Sequence, residues 1–237
     1  MKVRIRFAKT GVMKYVGHLD IMRYFQKAMR RAQIPIKYSE GFNPHQIMSF
    51  AAPLGVGLTS EGEYMDIECK EQIPSAEAVK RLNDTMVEGM EVRSYRYLPE
   101  HSENAMACVA AASYEVRYRK PEQIRFSLQD LAVFLRDFYI NPADIMIVKK
   151  TKKGERALDL KPLIYQFDVA MEEDAPVYTL TVSTGSVDNI KPELVMEHFH
   201  RFIGMGEEEP AMSIKRCDMF TRQDGKLVSL DETGFDV

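Results

Sequence analysis

Lys2-Val3-Arg4-Ile5-Arg6-Phe7-Ala8-Lys9, followed by His18-Leu19-Asp20-Ile21-Met22-Arg23-Tyr24-Phe25-Gln26-Lys27-Ala28-Met29-Arg30-Arg31, decides the fold. The first run sets Val3, Ile5 and Phe7 against Lys2, Arg4 and Arg6, the period of two that belongs to a strand. The second run changes period. Ile21, Phe25, Ala28, Met29 and Ala32 share one side of a helix expected from about His18 to Gln33. At 3.6 residues per turn Arg23, Lys27, Arg30 and Arg31 share the opposite side, within roughly 100° of one another. A strand leading into a two-faced helix predicts a sheet with a helix laid on it and a basic ridge turned outward.

Working outward, the rest of the first half continues the plan. Ile34–Tyr38 and Ile47–Ala51 read as short strands, and residues 62–70 as a strand with acidic alternation. Ser75 opens a helix striped by Val79, Leu82 and Met86, and residues 91–98 close as a strand. The second half repeats the order. A strand at 113–119 precedes a helix capped by Ser127 with Asp130 three residues on. Residues 144–150 and 157–172 read as a hairpin turning at Lys152-Lys153-Gly154-Glu155, and 177–183 as a further strand. Pro192 starts a helix, and 213–221 with 226–230 finish as a hairpin around Asp224-Gly225. The expected fold is α+β: two tandem ferredoxin-like (βαββαβ) sandwiches, residues 1–99 and 113–237, joined by a polar linker at 100–112.

Bulk properties narrow the function classes. The 237 residues are 45% hydrophobic and 28% charged, as in a globular protein, and the apolar runs are too short to span a bilayer. Cys69, Cys108 and Cys217 are an odd number at wide spacing, which argues against a disulfide framework or a structural zinc site and for a cytoplasmic setting. No cofactor is implied: Gly55-Val56-Gly57 lacks the remainder of a dinucleotide fingerprint.

Charge is unevenly placed. The first fifty residues hold ten Lys or Arg against two Asp or Glu, in a chain of formal net charge −3. One sign concentrated on one segment marks a surface that meets an anion. The ridge of Arg23, Lys27, Arg30 and Arg31, with Lys37 beyond it, is nearly free of the interleaved carboxylates that a merely solvated helix face uses. Next comes Tyr38-Ser39-Glu40-Gly41-Phe42-Asn43-Pro44-His45. Its Tyr38, Phe42, Asn43 and His45 suit stacking on a base and bonding its edge, or equally a self-satisfied turn with Phe42 in the core. A second basic segment, Lys149-Lys150-Thr151-Lys152-Lys153, suits a phosphate backbone or the protection of an exposed hairpin edge. His18 and His45 are the candidates for acid–base chemistry, with Tyr15 near His18 in sequence. His198 and His200, two apart on a helix, cannot chelate one metal together, and no metal-site spacing is present.

Several of these strings carry a resemblance. Gly17-His18-Leu19-Asp20, Tyr38 to His45, Ser49-Phe50, Pro53 to Gly57, Ser60 to Asp66, Lys150 to Gly154 and Asp159-Leu160 resemble the radical SAM-linked family of bacterial proteins with a domain of unknown function. Gln46 stands where that family's pattern would place Pro. The resemblance implies a separately encoded radical SAM partner; it supplies no activity and no catalytic residue. At the level of architecture the N-terminal layout also looks like the RAMP RNA-binding proteins of CRISPR systems. The expected function is an accessory protein without catalysis of its own, which binds tRNA-like or structured RNA and presents it to the radical SAM enzyme. The alternatives are a metal-independent endoribonuclease using His18 or His45, and a module that docks the radical SAM partner without nucleic acid.

Overall fold

The computed structural model describes residues 1–124, 126–151, 154–185, 188–205 and 210–237. The chain is mixed α+β and divides into two units, Met1–Ala111 with Lys215–Val237, and Ala112–Ile214. The segment 215–237, which the sequence pattern assigns to the second half, therefore belongs to the first unit.

In the first unit β1 (Lys2–Lys9) lies between β3 (Thr59–Glu68) and β4 (Met90–Tyr97), antiparallel to both. β2 (Met48–Phe50) and β10 (Met212–Gln223) both pair with β3, and β11 (Lys226–Ser229) pairs with β10. The expected strand at 34–38 is reduced to single bridges, Ile36 with Cys69 and Tyr38 with Gln46. α1 (His18–Arg31) and α2 (Ser75–Asn83) cover one face of this sheet. Val3, Ile5 and Phe7 pack there against Ile21, Phe25, Met29 and Leu82, every one of them nearly inaccessible. The rings of Phe7 and Phe25 stand 4.6 Å apart. Burial of such side chains, about 1.5–3 kcal/mol each, holds the helices down.

α1 ends in a Schellman arrangement. Gln33 takes φ +52°, its N–H reaches Arg30 O at 3.3 Å, and the Ile34 N–H reaches Met29 O at 3.0 Å. Pro35 then prevents continuation.

The second face of β1 carries buried charge. Arg4 is 2% exposed and forms paired bonds to Asp66 at 2.8 and 2.9 Å. Burial opposes its charge, but the bonds and attraction of Asp66 prevail and raise its pKa. Asp66 also accepts the Ala105 N–H at 2.7 Å. Ala105 begins α3 (Ala105–Cys108), a short helix capped by Asn104 within the stretch expected as a linker.

The second unit orders its strands β5-β9-β8: β5 (Ala111–Tyr118), β9 (Ala175–Ser183) and β8 (Ile164–Glu172). α4 (Leu128–Leu135) opens with the expected capping box of Ser127 and Asp130. Phe138, Phe167, Tyr178 and Phe199, the last from α5 (Pro192–Phe202), form its aromatic centre. One correction concerns 157–172, read from sequence as one strand. It is two, β7 (Gly154–Asp159), which pairs with β6 (Met146–Thr151), and β8, which pairs with β9. Pro162, which has no N–H, sits in the turn between them, and the Asp159 carboxylate accepts the N–H groups of Ile145 and Lys161 at 2.8 and 2.9 Å.

Candidate nucleic-acid interface

α1 presents its cations as its periodicity requires. Arg23, Lys27, Arg30 and Arg31 are all exposed. Arg23 meets Asp20 at 3.2 Å, but both side chains are mostly in water, where such a pair is worth a few tenths of a kcal/mol. Arg30 Nε donates to Gln26 O at 3.3 Å. Among the described residues Lys27 and Arg31 have no ion-pair partner. The remaining cations of the leading segment are largely committed elsewhere. Arg6 faces Asp218 and Asp231 at 4.0 and 3.9 Å and Arg4 is the buried partner of Asp66, whereas Lys37 makes only a half-exposed surface pair, 3.3 Å from Glu68. The surplus positive charge that composition spreads over fifty residues is thus concentrated on the α1 ridge.

Beside the ridge stands the Tyr38–His45 loop. Ser39 N–H donates to His45 O at 2.8 Å, and His45 N–H donates to Ser39 Oγ at 3.1 Å. His45 Nδ1 lies 2.9 Å from the same hydroxyl oxygen. These bonds close the loop, and Gly41 at φ +111° makes the bend. Phe42 is fully exposed, so it plugs no core; Asn43 and His45 are exposed with it. Tyr38 is only partly so, with its hydroxyl accepting from Gln46 Nε2 at 3.3 Å.

Gln46, the departure from the resembled pattern, places the loop. Its side chain is 6% exposed, and Nε2 also donates to Gln26 O in the middle of α1 at 3.2 Å. Arg30 shares that carbonyl. A proline here could make neither bond. The loop is therefore fixed against the helix that carries the cations, on the flank of Arg30.

The histidines do not assemble. His18 begins α1 and sets its ring edge-on to Phe50 at 5.2 Å, while His45 is tied to Ser39. Among the described residues no hydrogen bond joins His18, His45 and Tyr15, and no group of three or more His, Cys, Asp or Glu could hold a metal. Lys152 and Lys153 lie outside the described residues, as do the side chains of Lys149 and Lys150, whose backbone runs in β6.

One charged group escaped the sequence analysis. Lys9, Glu63 and Arg216 are each at most 5% exposed. Arg216 donates to Glu63 at 2.9 Å and to Ala52 O at 3.1 Å, while Lys9 Nζ donates to Val16 O at 2.8 Å. Burial lowers the Lys9 pKa against the attraction of Glu63, and the charge of Arg216 lowers it further. This group fastens the segments around Val16, Ala52 and Glu63, which contain or adjoin several of the quoted motifs. Gly62 belongs to the same junction: a Cβ there would lie 2.5 Å from Cys217 O. The readable signal was parity, since Lys9 falls in step with the core-facing Val3, Ile5 and Phe7.

Residues 2–192 match the model of a family described as an uncharacterized protein conserved in bacteria, DUF2344. No curated protein matches the chain. Among solved structures it is similar to a chain in the crystal structure of a Cbf5–Nop10–Gar1 complex, with a TM-score of 0.50 and 11% identity. The likeness covers 97% of this chain and 52% of that one, so the chain spans about half the length of that relative. At this identity the likeness concerns the fold alone. Among the described residues no helix is long and apolar enough to cross a membrane.

Proposed function

The chain belongs to the DUF2344 family of bacterial proteins, and from that premise we propose that it is an RNA-binding accessory protein that presents structured or tRNA-like RNA to a separate radical SAM enzyme. The observation that carries this reading is the wholly exposed Phe42 on a loop fixed by Gln46 to the helix bearing Lys27, Arg30 and Arg31. Cations in a row hold phosphates without reading sequence, and an exposed ring on a closed loop offers a base a stacking partner. The loop's own hydrogen bonds lower the ordering cost that binding would otherwise incur. Asn43 and His45 then face a base edge, and Arg23 and Lys37 extend the phosphate track. The lysines of the β6–β7 hairpin would serve a second phosphate contact.

Each unit is read as a ferredoxin-like sandwich. Supporting this are the order β4-β1-β3-β2 in the first unit, the order β5-β9-β8 in the second, and the helices that alternate with these strands. The hairpin β6–β7 is then an insertion. The radical SAM partner rests on the sequence resemblance and a cytoplasmic setting on cysteine usage. The endoribonuclease alternative finds no assembled pair of acid and base in His18 and His45.

The base-contact half of the proposal is tested by Phe42→Ala. Because the ring packs on nothing, folding stability should not change. Affinity for single-stranded or looped RNA should fall by about 1–3 kcal/mol, with the salt dependence unaltered. Unchanged affinity would remove the loop from the interface.

A further inference from the structure

The first unit contains a cleft of about 570 Å³ whose walls include Lys2, Glu68, Tyr97, Leu98, Glu100 and Phe235. That volume falls within the roughly 300–1,000 Å³ of small-molecule sites. Its apolar side is built from the terminal segment laid on β4. Phe235 exchanges two backbone hydrogen bonds with Tyr97, at 2.8 and 2.9 Å. Gly234 permits that approach, since a Cβ would lie 2.8 Å from both Tyr97 O and Arg96 Cβ. The Phe235 ring tilts 35° to that of Tyr97 with centroids 6.4 Å apart, and the residue remains 51% exposed. The Tyr97 hydroxyl is already occupied, donating to Ile73 O at 3.0 Å and accepting from Ile73 N–H at 2.9 Å. The cleft therefore offers a ligand an aromatic face together with the carboxylates of Glu68 and Glu100, which only accept, beside the donors of Lys2 and Gln72.

We propose that this cleft receives one unpaired guanine base of the bound RNA, stacked on Phe235, with its N1–H and amino group donating to a carboxylate, foremost Glu100. The inference rests on the RNA-binding reading and names the nucleotide it selects. Four considerations lead to it. The carboxylate charge is offset by Lys2, held by Ser102 O at 3.0 Å, and by Lys37, 3.3 Å from Glu68, so a simple cation gains little there. A neutral flat ring with a donor edge gains from both the face and the acceptors. Guanine presents two adjacent donors to a carboxylate, whereas adenine pairs one donor with an acceptor that would repel it. Lys37, the partner of the cleft residue Glu68, immediately precedes the Tyr38–His45 loop, so the cleft adjoins the segment proposed to hold the RNA.

The test titrates the full chain with 5′-GMP and with 5′-AMP, followed by NMR shifts of backbone amides around Tyr97 and Phe235. GMP is expected to bind at least about tenfold more tightly than AMP, the equivalent of one charge-assisted hydrogen bond. Glu100→Gln, at an exposed position, should abolish the preference, and Phe235→Ala should weaken both nucleotides. Equal affinities, shifts elsewhere, or a preference that survives Glu100→Gln would overturn the proposal. Structured RNA binding measured on the same samples separates the two readings. RNA that binds through α1 while GMP shows no preference ends the cleft alone; absence of RNA binding ends both.

Discussion

His200 shows how much one side chain can say about conditions. It is 1% exposed, with Nε2 2.8 Å from the Tyr118 hydroxyl and Nδ1 without a partner among the described residues. Burial lowers its pKa from 6.5 to about 4. The folded form therefore binds fewer protons than the unfolded chain between those values. Stability is fully present above pH 6.5 and is lost as pH falls toward 4, by roughly 3 kcal/mol from this residue. Asp130, whose pKa is lowered by its bonds from Ser127, contributes in the same direction, so the comparison to make is with His200→Gln, which cannot titrate and still offers Tyr118 a partner. Melting temperatures at pH 7.5 and 5 should differ less in the variant than in the parent; an equal difference would remove His200 as a cause. Nothing in sequence identified this role, because its periodicity placed His200 on a helix without saying which neighbours would exclude water.

At the scale of elements, α1 was legible almost to the residue, because an amphipathic stripe and a basic stripe agree on one helix. Its end was not. Termination falls to Gln33 in a left-handed conformation that costs an L-residue about 1 kcal/mol or more. Gln33→Gly should relieve that strain, raising stability by about 0.5 kcal/mol and the melting temperature by one or two degrees. A lower melting temperature would mean that the Gln33 side chain contributes more than its backbone costs. The strand misread at 157–172 has the opposite origin. Alternation continued through Asp159-Leu160-Lys161-Pro162, and the deciding signal was a proline in mid-strand, which no ladder tolerates. The Tyr38–His45 loop was legible as a turn. Its placement on α1 depended on the non-local reach of Gln46 to Gln26, which no local pattern encodes.

Taken whole, the molecule separates two uses of charge that composition cannot distinguish. Arg4 with Asp66, and Arg216 with Glu63 beside Lys9, are buried groups that fix strands and loops in place. The α1 ridge is solvent-facing and carries one acidic neighbour, Asp20. Counting lysines and arginines along the leading fifty residues overstated the exposed charge, since Arg4 and Lys9 of that stretch are buried. Strand parity and distant carboxylates, rather than local density, decided which cations turned inward. The division of the chain was equally non-local, since residues 215–237 return to the first unit through β10 and β11.

The central claim is that the ridge binds nucleic-acid phosphates, and it is tested by measuring RNA affinity against salt concentration for the chain and for its Lys27→Glu, Arg30→Glu, Arg31→Glu variant. Binding by the parent should weaken linearly on a log–log plot. The variant should bind more weakly with a shallower slope, by about 0.7–0.9 for each phosphate it no longer neutralises. Parallel slopes at unchanged affinity, or a parent that binds no RNA at low salt, would contradict it.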